Sequence, residues 1–394
     1  MQTSRRNIFL LACCQALLLA NSSGLISMNG LVGFSLAKTK SLATLGATTY
    51  VLGSALATMP MSLWMGKVGR RAGFMAGAAI NIAGCTLAVL ALQWSSFALY
   101  CIATAVVGVY NAVGLQYRFA AAEVATAADR AKAISLVLAG GVVGGFIGPQ
   151  SARMARDLLA TPFEGSFIVL AGIALIALAV QSQVRVPKPT LDERAGIRRP
   201  LSEIARQPTF IVAVLSAALG YGIMNLLMTA TPIAMDFCGH PFSAAAFVIE
   251  WHVVAMFAPG FFTGTLIRRF GTLTVILAGV GLTVVAVFVA LNGITVAHFV
   301  VALALVGTGW NFMYTGGTSL LTETYGPTEK SRTQGLNDFI VFATMGVSSF
   351  ASGALVTATG WDTMNRAALP VLAVIAAAAL WLMWMRRAAR AAAT

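Results

Sequence analysis

Two pairs of side chains, Met224 with Met228 and His252 with Met256, carry the chemistry most particular to this chain. Each pair is spaced i, i+4, which on a helix puts both members on one face, a turn apart. Three thioethers and a neutral imidazole form a soft donor set that favours Cu(I) over hard cations. Any one methionine of the 16 here reads most simply as packing. His252 is harder to set aside, because an ionisable group inside an apolar run is costly and usually faces an interior or a cavity. Met235, Cys238 and His240 add a thioether, a thiol and an imidazole within six residues, a second-tier set suited to capturing metal at a helix end. Met28 is a further second-tier candidate ligand.

These residues must be positioned by membrane-spanning helices. The chain has 394 residues, 58% hydrophobic and 10% charged, whereas a soluble domain is about 25% charged. Mean hydropathy is +0.82. Crossing hydrocarbon takes about 20 apolar residues, and such runs recur twelve times, at about 7–36, 41–65, 73–92, 96–122, 132–155, 166–184, 209–236, 243–266, 274–292, 297–321, 333–357 and 366–385. The expected fold is an all-α membrane protein. At about 1.5 Å of rise per residue, Met228 and His252 lie about 12 and 14 Å below the outer helix ends, Met224 and Met256 about 18 and 20 Å. The four therefore form two layers near mid-membrane.

The formal charge of +13 would suggest nucleic acid in a soluble protein. Here it follows alternate loops, with about 20 cationic residues on one side, and the positive-inside rule makes that side cytoplasmic. Both termini are then cytoplasmic, and no nucleic-acid partner is implied. Arg5 and Arg6 before an apolar run imitate a secretory signal, but the run continues to Ala37, so a first span is expected. Cys13, Cys14, Cys85 and Cys101 show no CxxC spacing and predict no disulfide framework.

The proline-rich, basic stretch 185–208 divides the chain into halves 1–184 and 209–394, six runs each. The halves repeat: Gly69-Arg70-Arg71 is answered by Arg268-Arg269-Phe270-Gly271, Asn111 and Glu123 by Asn311 and Glu323, and Met28-Asn29 by Met224-Asn225. Two six-helix halves joined by a basic middle loop resemble the major facilitator superfamily, whose halves rock about a site near the midplane. Gly66-Lys67-Val68-Gly69-Arg70-Arg71 partly matches that family's loop motif between its second and third helices. Gly66 stands where the family usually has Asp, which predicts a weakened charge lock at the first inner gate. The copy from Gly264 to Gly271 fits better.

Met224-x-x-x-Met228 followed by His252-x-x-x-Met256 resembles the CcoA-like copper importers, the CalT subfamily of that superfamily. The resemblance implies that those four residues bind copper in transit, that Cys238 is a family cysteine, and that the copper supplies cytochrome oxidase assembly. The same subfamily includes riboflavin transporters, so the substrate stays open between copper and a flat organic solute. The latter would use Trp310, Tyr314 and Asn311, with Tyr110 and Asn111, for stacking and hydrogen bonding. Gly144-x-x-x-Gly148-Pro149 resembles the glycine-proline motif of proton-coupled drug exporters, although glycines four apart also permit close helix packing. Glu250 and Asp338 are the acids best placed for coupling, and Arg70, Arg71, Arg268 and Arg269 for gating. The expected protein is an inner-membrane secondary transporter, with no enzymatic activity or resident cofactor. It is expected to work as a monomer, by analogy with the superfamily.

Overall fold

A computed structural model describes residues 2–38, 42, 45–187 and 199–391. Lys40, the middle of the basic linker and the last three residues lie outside the described residues. The chain forms α1 (Gln2–Leu36), α2 (Leu45–Val68), α3 (Arg70–Gln93), α4 (Phe97–Gly114), α5 (Tyr117–Val124), α6 (Arg130–Ala139), α7 (Gly141–Ala155), α8 (Glu164–Gln181), α9 (Leu201–Ala205), α10 (Pro208–Phe237), α11 (Phe242–Phe257), α12 (Thr263–Phe270), α13 (Thr272–Leu291), α14 (Val296–Leu321) and α15 (Lys330–Ala391).

Among the described residues, ten helical stretches are long and apolar enough to cross a membrane. Of the two other expected spans, the second is long enough but less apolar, and the eleventh forms the first part of α15. α2 is 24 residues long but carries Ser54, Thr58 and Ser62 on its buried face. The first part of α15 buries Asn337 and Asp338. α15 covers both final spans, and its one non-helical residue, Gly360, has φ 77°. That left-handed conformation suits glycine and interrupts the helix between the two expected runs.

Three spans are broken internally. The fourth divides into α4 and α5, the fifth into α6 and α7, and the eighth into α11 and α12. Pro259 lies in a 3-10 turn, Ala258–Phe261, between α11 and α12. Its missing N–H costs little there, because the first N–H groups of a helical turn have no internal partner. Ser135 completes the turn: its hydroxyl donates to the Gly260 carbonyl and accepts from the Gly264 N–H at 3.0 Å. Pro232 lies inside α10.

The residues group into two compact units, one of Met1–Thr126, Val137–Ile197 and Pro327–Phe342, the other of Ala127–Leu136, Arg198–Gly326 and Ala343–Thr394. In the first, the core gathers Leu25, Met28, Tyr50, Cys85, Tyr100 and Phe167. A methyl group at Gly144 would stand 2.7 Å from Leu19 Cβ, and one at Gly148 2.8 Å from the Gly24 nitrogen. The fifth-span glycines thus let α7 meet the backbone of α1 directly. The second unit is organised around α14, which is buried at every position from Gly309 to Leu321.

Candidate functional site

α14 carries the features best suited to binding. Trp310 and Tyr314, one turn apart, stack with centroids 5.0 Å apart and planes inclined by 15°. Tyr221 on α10 meets both edge-on, at 5.3 and 5.5 Å. Phe257 at the end of α11 meets Trp310 edge-on at 5.6 Å. Four rings from three helices form one aromatic cluster, and offset or edge-to-face contacts are the arrangements ring quadrupoles favour. Trp310, Tyr314 and Phe257 are buried, whereas Tyr221 is half-exposed. The Trp310 indole N–H is buried without a hydrogen-bond partner, a cost of about 1–3 kcal/mol that an acceptor on a bound molecule would remove.

His252 is fully buried on the face of α11 that meets α14. Its Nδ1 lies 2.7 Å from the Leu303 carbonyl oxygen. A carbonyl can only accept, so Nδ1 carries the proton and Nε2 keeps its lone pair. Nε2 is buried and has no partner. A ring nitrogen held in this way suits either a metal or a hydrogen-bond donor on a solute.

The other expected ligands have mixed surroundings. Met224 and Met256 are buried, and Met228 is half-buried. Met256 sits one turn below His252, and its carbonyl accepts from Asn311 Nδ2 at 2.7 Å. Met28 belongs to the core of the first unit. The outer trio departs from an open capture site. Met235 is fully buried, the Cys238 backbone caps α10, and His240 Nε2 is 2.6 Å from the Ile294 carbonyl. No group of three His, Cys, Asp or Glu suited to a metal occurs among the described residues.

Asn311, expected to contact an organic solute, is engaged within the protein. Its Oδ1 accepts from Thr263 at 2.8 Å while its amide holds the Met256 carbonyl. It ties the end of α11 and the start of α12 to α14 and therefore positions the site. In the first unit, Tyr110 is buried, and Asn111 donates to Ser54 at 3.4 Å. Tyr221 and Phe257 were not singled out by sequence. An aromatic residue in an apolar helix gives no sign that three other rings will converge on it.

The charged residues sort by unit. Arg70 is buried and donates to Glu123 at 2.7 Å, to Gln116 at 2.8 Å and to Gln334. Gln116 also donates to Asp338 at 2.9 Å, and Asp338 pairs with Arg118, both fully buried. A continuous network therefore runs from Glu123 through Arg70, Gln116 and Asp338 to Arg118. Asp338, expected to serve coupling, is fixed as an ion-pair partner. A Cβ at Gly66 would lie 2.5 Å from Ser331 Oγ, so this position, where the family usually has a carboxylate, is closely packed. Arg268 pairs loosely with Asp129 at 3.7 Å, and Arg269 lies over Phe270. Arg71 and Glu250 are exposed. Glu250 therefore lies on a different face of α11 from buried His252.

Residues 11–271 match the model of the Major Facilitator Superfamily. The chain is 40% identical over 375 residues to a protein of Brucella anthropi named riboflavin transporter RfnT, covering 94% of each. It is 27% identical over 378 residues to an uncharacterized MFS-type transporter, YdeG, of Bacillus subtilis, covering 92% of this chain and 88% of that one. Among solved structures, the transporter FucP in its outward conformation superposes with a TM-score of 0.76 at 16% identity, over 95% of this chain and 98% of the other. A bacterial homologue of the iron transporter ferroportin gives 0.73 at 12%, with the same coverage. The all-helical fold is that of this superfamily. The chain belongs to the major facilitator superfamily and is a secondary transporter.

Proposed function

We propose that this chain imports a small, flat organic solute, riboflavin or a related heterocycle, across the bacterial inner membrane by alternating access. It does so as a monomer without enzymatic activity, both termini lying in the cytoplasm. The observation that carries the reading is the four-ring cluster around Trp310, whose buried N–H lacks an acceptor. A flat ring system would dock against half-exposed Tyr221, and a ring carbonyl would satisfy the indole. Likeness along nearly the whole chain to a protein named as a riboflavin transporter supports this substrate over the metal favoured by the Met and His spacing.

Uptake of labelled riboflavin by flavin-requiring cells tests it. Wild type restores uptake, Tyr221→Ala abolishes it, and Trp310→Phe, which keeps a ring and removes the donor, raises KM about tenfold. Uptake unchanged in both variants sinks the reading.

A second reading, import of Cu(I) for cytochrome oxidase assembly, is favoured by one observation: the fixed tautomer and unpartnered Nε2 of His252. Met224, Met228 and Met256 would supply the thioethers. Radioactive copper uptake lost in His252→Ala and in Met224→Ala with Met228→Ala, with riboflavin uptake absent from wild type, would establish it instead. Drug export rested on the fifth-span glycines, whose contact with α1 accounts for them as packing.

A further inference from the structure

Away from the aromatic cluster, the first unit contains a cavity of about 470 Å³ beside the start of α3. Its walls are apolar where Val68, Ala72, Met75 and Val184 face it, and basic at Arg71 and Arg185. No carboxylate among the described residues lines it. Arg70 also reaches it, but its charge is answered by Glu123. Arg71 and Arg185 are exposed, and neither meets an acidic side chain among the described residues.

This charge arrangement runs against local preference. The N-terminus of a helix carries partial positive charge, which favours acidic residues in the first turn. α3 begins with two arginines, has no acid in its first turn, and has Gly69 as an N-cap without a side chain to accept from its free N–H groups. The opposite wall is held in place. Asn7, buried on α1, donates to the Arg185 carbonyl at 2.7 Å and accepts from the Arg185 N–H at 3.0 Å. One side chain thus pins the backbone beside the cavity and fixes where Arg185 leaves it.

We propose that this cavity binds a phosphate group, held by Arg71 and Arg185, with the apolar wall receiving the uncharged part of the same molecule. Guanidinium groups suit phosphate because they offer parallel N–H donors. The phosphate can come from an anionic lipid headgroup, as basic pockets on the cytoplasmic side of membrane proteins bind, or from a soluble phosphate.

The test uses the purified full-length chain and its thermal-unfolding midpoint. One arm compares nanodiscs of phosphatidylglycerol with nanodiscs of phosphatidylcholine. The other compares inorganic phosphate with chloride at matched ionic strength in detergent. A higher midpoint in phosphatidylglycerol alone identifies a lipid site, and one in phosphate identifies a site open to soluble anions. Either response is expected to weaken about tenfold in apparent affinity in Arg71→Gln with Arg185→Gln. It should also be lost in Ala72→Trp, which fills the cavity at an exposed position and leaves both charges in place. Equal midpoints in both arms, or a response that survives both variants, overturn the proposal.

Discussion

Arg70 and Arg268 belong to the basic clusters that answer one another in the two sequence repeats, though at different positions within them, and their surroundings differ. The Arg70–Glu123 pair is 5% and 17% exposed and joins the buried Arg118–Asp338 pair through Gln116. The Arg268–Asp129 pair is 53% and 50% exposed, with atoms 3.7 Å apart. Glu323, the counterpart of Glu123, pairs with Arg386 and is also largely exposed. The two repeats thus share a charge pattern while one buries it and the other leaves it to solvent. The energetic consequence is large, because breaking a buried pair from one side costs about 3–5 kcal/mol, and an exposed pair is worth about 0–1 kcal/mol.

The strongest way to break the contrast is Asp338→Asn, which leaves Arg118 buried without its counter-charge. Stability should fall by about 3–5 kcal/mol, read from chemical unfolding in detergent, and a loss below about 1 kcal/mol would erase the distinction between the two ends. Replacing both partners, as Arg118→Met with Asp338→Leu, should recover much of that loss, since apolar pairs often match buried ion pairs. If the double variant is no better than the single one, the cost lies in packing.

Gly66→Asp sharpens the same contrast by restoring the residue usual in the family. The new side chain meets Ser331, and overpacking of this kind costs about 1–3 kcal/mol. Ser331→Gly in the same chain should relieve part of it. Smallest of all, Arg268→Gln should change stability by less than about 1 kcal/mol, and the change should shrink further near 1 M salt, where screening acts over about 3 Å. The Asp338→Asn loss should not respond to salt in this way.

Much of this architecture was legible before any coordinates. Apolar runs of sufficient length located the spans, and spaced glycines announced a close helix contact, which α7 makes with α1. An imidazole within an apolar run announced the burial of His252, whereas Glu250, expected to serve coupling, is exposed. What stayed hidden were partners distant in sequence. Gln116 and Gln334 look like incidental amides until they are found bridging Arg70 to other elements. Asn311 looks like a solute contact until Thr263 and the Met256 carbonyl are found to occupy it. Periodicity reports which face of a helix is buried and is silent on what it is buried against. The close packing at Gly66 stayed hidden for the same reason, since it depends on Ser331, far along the chain.

The bend in the eighth span has a consequence of this kind. Proline alone opens it, but the Gly260 carbonyl and the Gly264 N–H are both satisfied by one hydroxyl from the fifth span. The bend is therefore encoded in two distant places, and a mutational scan confined to the eighth span would overlook Ser135, the residue that decides whether the broken turn is finished or frayed.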